Sequence, residues 1–146
     1  MTTRYSAMDI AVYVINSSID AGYPVSNLQL QKILYFIQVE YYRRKGTPLF
    51  GDDFRAWQYG PVVPEIYRLF SIWGGSKIST KITAETNTVS AEVAEIIDPV
   101  ISEYRQKNPW DLVEEAHKKD SPWDETMVKC GNDAIIPKEL IREYVK

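Results

Sequence analysis

The stretch "PVSNLQLQKILYFIQVEYYRRKG", Pro24 to Gly46, decides the fold. Ser26 and Gln29 have the S-x-x-Q spacing of a capping box, in which each side chain satisfies a backbone N–H that the first helical turn leaves without a partner. Arg43, Arg44 and Lys45 complement the negative end of the helix dipole, and Gly46 closes the helix as a residue free to adopt positive φ. Both ends are therefore marked. Leu30, Ile33, Leu34, Ile37 and Tyr41 form one apolar stripe, while Tyr35, Phe36, Val39 and Tyr42 cover much of the opposite side. A helix apolar nearly all round is either central to a fold or half covered by a partner.

On its N-terminal side, Met8, Ala11, Val12, Ile15 and Ile19 recur at helical spacing within Tyr5 to Ala21, and Gly22 ends that helix. On its C-terminal side, "FRAWQY" alternates as a short strand that Gly60 and Pro61 break. Pro64 then opens a helix running to about Trp73, with Ile66, Leu69, Phe70 and Trp73 on one face. "KISTKIT" and "NTVS" are weakly strand-like and are expected to share a small antiparallel element with "FRAWQY". A helix from Ser90 carries Val93, Ile96, Ile97, Val100, Ile101 and Tyr104, with Pro99 expected to kink or split it. "NPWD" at Asn108 to Asp111 and "SPWD" at Ser121 to Asp124 each start a short helix with a cap residue, a proline at the first helical position and an acid facing the positive helix end. "PKELIREYVK" ends the chain as a last short helix. The expectation is a mainly α protein: a single compact helical domain over residues 1–146 with a small antiparallel β element.

The 146 residues are 45% hydrophobic and 25% charged, with a net charge of -3. That is enough chain to bury roughly 70% of the surface exposed when unfolded, and the negative balance argues against direct nucleic-acid binding. No apolar run approaches the roughly 18 residues of a membrane span, and no secretory h-region is present, so a cytoplasmic location is expected. Cys130 is the only cysteine and His117 the only histidine, which excludes an internal disulfide and a Cys/His zinc set. Asp52 and Asp53 follow a glycine in a turn-like segment without metal-ligand spacing. No glycine-rich phosphate cradle or nucleophile elbow occurs, so neither a catalytic residue nor a cofactor is expected.

Several residues need an explanation. Lys32 sits between Leu30 and Ile33, where a buried ammonium requires a partner. A structural ion pair is the simplest answer, and contact with a partner or ligand is the alternative. His117 ends the helix begun by "NPWD", where an imidazolium would favour the helix C-terminus. Four Trp and ten Tyr give an excess of rigid, amphipathic side chains suited to cores and to interface anchors alike. One Trp and two Tyr fall within the twelve residues of "AWQYGPVVPEIY", Ala56 to Tyr67, which reads as a strand-to-helix corner with Trp57 and Tyr67 packing on the helix that holds Tyr35.

Taken in order, "LQLQKILYFIQVEYYRRKGTPLFGDDFRAWQYGPVVPEIYRLF" and "AHKKDSPW" resemble the Panacea antitoxin domain, the SocA-like or phage-associated GepA-like family, from about Met8 to Trp123. The matching positions are Gln31, Lys32, Leu34, Tyr35, Trp57, Tyr59, Gly60, Pro61, Val62, Pro64, Tyr67, His117 and Trp123. The resemblance implies a largely helical antitoxin of a bacterial or phage toxin–antitoxin module that binds and inactivates a cognate protein toxin encoded by an adjacent gene. It implies no catalytic residue. Of these positions Gln31, Lys32, Tyr35, Trp57, Tyr59, Gly60, Pro61, Tyr67, His117 and Trp123 are the candidate partner-binding or scaffold residues. Two alternatives stay open, an adaptor delivering a bound partner to a protease and a small-molecule-binding enzyme using Lys32 and His117, and under any of them the chain can also form a homo-oligomer.

Overall fold

A computed structural model of the chain describes residues 3–146. Helix α2 (Asn27–Lys45) runs through the middle, packed against α1 (Ala7–Asp20), α3 (Pro64–Leu69), α4 (Ala91–Tyr104), α5 (Pro109–Ala116), α7 (Lys138–Tyr144) and the second strand of a hairpin. The capping box is formed, with the N–H of Gln29 donating to Ser26 Oγ and the N–H of Ser26 to Gln29 Oε1, and Gly46 takes φ +74 at the other end. Leu30, Ile33, Leu34 and Ile37 are fully buried, and Tyr35, Val39 and Tyr42 on the other side are nearly so. Of the two expectations for an all-round apolar helix, the fold realises the central one.

Asn27, Gln29, Gln31, Lys32 and Gln38 on α2 are buried as completely as its apolar residues, and several hold neighbouring segments in place. Gln38 Nε2 donates to the Phe50 carbonyl at 2.9 Å, and its Oε1 accepts from the N–H of Leu49 at 2.8 Å. Gln29 Nε2 donates to the Lys107 carbonyl at 3.1 Å, and Asn27 Nδ2 to the Tyr67 carbonyl at 2.9 Å. Backbone groups in buried loops need such partners because water cannot reach them.

The β element differs from the expectation. Strand β1 (Arg55–Trp57) pairs antiparallel with β2 (Gly60–Val62), so Gly60 and Pro61 return the chain as a strand. Ala56 faces Pro61, and the N–H and carbonyl of Ala56 bond outward to Ala134 and Asp133. This is therefore a pair that exchanges no ladder bonds, and the N–H that proline lacks is not missed. The segments "KISTKIT" and "NTVS" form no strand. Lys77 makes only an isolated bridge to Ser26, Asn16 on α1 bonds both backbone groups of Ile82, and Asp9 accepts from the N–H of Asn87, so helix side chains take the place of a ladder at these two residues.

The helix opened by Pro64 stops at Leu69, and a 3-10 turn over Ser71–Trp73 follows Phe70. Ile66 and Phe70 are buried, but Leu69 is exposed, contrary to the one-face expectation. Helix α4 continues through Pro99 without being split. Asn108 and Ser121 both cap as expected, starting α5 and α6 (Pro122–Cys130). No helix among the described residues is long and apolar enough to cross a membrane.

Candidate functional site

The hairpin gathers nine of the ten candidate residues. Lys32 lies under β2 with no exposed surface, and its Nζ donates to the Pro61 carbonyl at 3.0 Å. The expected ion pair is absent: among the described residues no carboxylate lies within reach of Lys32. Burial without a counter-charge disfavours the ammonium and pulls its pKa from 10.5 to about 7. Gly60 is glycine for two reasons that meet here. Its φ is +116, and a Cβ would stand 2.6 Å from Lys32 Cε. Next to Lys32 on α2, Gln31 Oε1 accepts from the N–H of Val63 at 2.9 Å, fixing the exit of the hairpin.

His117 closes α5, where its backbone N–H donates to Val113 and Glu114. Its imidazole does not serve the helix dipole as expected. The ring stacks on Trp123 at 3.7 Å, nearly parallel, and Nε2 is buried without a partner. Burial first, and the positive charge of Lys32 second, lower its pKa, so the neutral form is favoured. Trp123 in turn donates from Nε1 to the Trp57 carbonyl at 2.7 Å, tying α6 to β1. The histidine and tryptophan of the late motif thus brace the hairpin from below.

Above this brace the aromatic rings reach solvent. Trp57 meets Tyr67 edge to face at 5.2 Å and donates from Nε1 to Asp133 Oδ1 at 2.9 Å. Tyr59, at the turn, is 49% exposed and packs edge to face at 5.3 Å on Trp110, which is 57% exposed. Beside them lies a groove of about 490 Å³ whose lining includes Leu28, Trp57, Tyr59, Val62, Tyr67 and Arg68.

Tyr35 stands apart. Its ring packs edge to face on Phe36 and Phe54, not on Trp57 or Tyr67, and its hydroxyl is buried without a partner, which raises its pKa. It lines a second cavity of about 360 Å³ between α2 and α4.

Sequence reasoning missed Trp110 and Arg68 as surface residues. "NPWD" and "SPWD" look alike because both begin helices, yet one tryptophan braces the hairpin and the other remains in solvent against Tyr59. No local signal separates them. The half-exposed aromatic residues of the hairpin do offer one: Tyr59 sits between Gln58 and Gly60, at a turn that the YGP order marks.

Taken together, these residues form an aromatic surface held from within by a lysine, a glutamine and a histidine. The chain belongs to the antitoxin SocA-like family, Panacea domain, which residues 30–124 match. It is similar to Antitoxin SocA of Caulobacter vibrioides (strain NA1000 / CB15N), at 30% identity over 128 residues covering 81% of this chain and 68% of that protein. No solved structure matches it significantly.

Proposed function

We propose that this protein is the antitoxin of a toxin–antitoxin module, acting in the cytoplasm as one domain that neutralises a cognate protein toxin by direct, non-catalytic binding. The observation that carries the reading is the convergence of the motif residues on one hairpin, whose turn presents Tyr59 to solvent against the exposed Trp110 of α5, in a chain of an antitoxin family. Large, rigid rings with polar tips are the commonest interface anchors, because they bury much area for little lost conformational entropy. The buried polar groups beneath keep that face in one geometry and so lower the ordering cost of association. Lys32 and the Nε2 of His117 have no surface open to a substrate, which favours binding over catalysis by this pair.

The test is genetic and biochemical. Each neighbouring gene is expressed alone and together with this chain. One of them should arrest growth alone and be tolerated in the pair, with its product persisting in a complex. If no neighbour is toxic and rescued, the reading fails. If rescue is accompanied by disappearance of the toxin, delivery to a protease replaces neutralisation.

A further inference from the structure

We propose that the groove beside the hairpin receives an apolar side chain of a protein partner together with an adjacent carboxylate, which Arg68 holds. The inference rests on the direct-binding reading and specifies its chemistry. Leu28, Val62, Trp57 and Tyr67 supply apolar surface within a groove of about 490 Å³, within the ordinary size range of a binding cleft. Trp57 is fixed both by the edge-to-face contact with Tyr67 and by the hydrogen bond from Nε1 to Asp133. The apolar wall is therefore pre-formed.

Charge decides what accompanies the apolar group. Arg68 is exposed on the rim and makes no ion pair among the described residues. Asp133, the acid lining the groove, already accepts from Trp57 Nε1 and lies 3.9 Å from Arg55 Nη1. On the far side of Arg68, Asp53 is paired with Lys138, Asp52 accepts from the N–H of Ala7, and Glu65 stands outside ion-pair distance. The groove thus keeps an uncommitted guanidinium, a group whose planar fork fits a carboxylate in bidentate geometry. A protein segment is favoured over nucleic acid because the chain is net negative and backbone phosphates demand an excess of cations.

The experiment titrates the full-length ¹⁵N-labelled chain with acetyl-Phe-Asp-Glu amide and with acetyl-Phe-Lys-Lys amide at millimolar concentrations, following the indole N–H resonances. The acidic peptide should shift the Trp57 resonance, leave Trp73 unmoved, and bind at least about 5-fold more tightly than the basic one, with Arg68→Glu reversing the order. Absence of shifts, equal shifts from both peptides, or an order unchanged by Arg68→Glu overturns the proposal. So does self-association of the free chain that Arg68→Glu abolishes, since the occupant is then a second copy. Failure here is separable from failure of the antitoxin reading. An Arg68→Glu chain that still rescues cells fully sinks the groove and leaves neutralisation standing. A wild-type chain that rescues from no neighbour sinks neutralisation, while the peptide order still decides the groove.

Discussion

Lys32 donates one hydrogen bond, to a carbonyl, from a fully buried site, and among the described residues it pairs with no acid. Its folded pKa of about 7 lies below its ordinary 10.5, so protonation favours the unfolded chain. Stability contributed at this site therefore rises as pH climbs from about 7 towards 10.5, and below about 7 the full penalty is present. Lys32→Met should stabilise the protein by about 1–2 kcal/mol at pH 7. Urea unfolding of both chains at pH 7 and pH 9.5 checks this: the gap should narrow at the higher pH. Gly60→Ala should cost at least about 2 kcal/mol, from positive φ and collision with the lysine stem, and part of that loss should be recovered in the double variant Lys32→Ala, Gly60→Ala. The sequence makes the burial of Lys32 legible, through Leu30 and Ile33 on either side. It does not make its partner legible, because the Pro61 carbonyl comes from a strand 29 residues further along the chain.

At the scale of elements, α2 is readable from end to end because its capping box, basic last turn and Gly46 are local devices. The hairpin is not, since Gly60 and Pro61 are strand breakers in general. They are tolerated here because Pro61 occupies a pair with no ladder bond and Gly60 lies on the lysine stem. "KISTKIT" and "NTVS" mislead for the opposite reason: their residues suit strands, but α1 offers Asn16 to the backbone of Ile82 and Asp9 to that of Asn87 in place of a neighbouring strand. Gln38 shows how much such a side chain holds. Gln38→Ala leaves the buried N–H of Leu49 and carbonyl of Phe50 without partners and should cost about 2–4 kcal/mol. Arg43→Ala, which removes an exposed pairing with Glu40, should cost less than about 1 kcal/mol. Thermal unfolding of the two variants side by side distinguishes a core staple from a surface charge.

The whole molecule is a central helix whose buried polar residues hold a hairpin and its neighbouring loops, with the motif residues divided between the inside and the outside of that hairpin. The division explains why the ordered motif identifies the family more readily than it identifies a contact surface. Gln31, Lys32, Gly60, Pro61, His117 and Trp123 serve the scaffold, and Tyr59, Trp57 and Tyr67 with the unforeseen Trp110 and Arg68 form the face it presents. Direct neutralisation through this face is tested most directly by titrating the purified cognate toxin, identified by rescue, with wild-type chain and with the Tyr59→Ala, Trp110→Ala double variant. The variant should keep the wild-type circular dichroism spectrum and unfolding midpoint to within a few degrees, because both rings are about half exposed. Its affinity for the toxin should fall by about 30-fold or more, the loss expected of a pair of interface anchors. A folded double variant that binds the toxin as tightly as the wild-type chain would contradict the account.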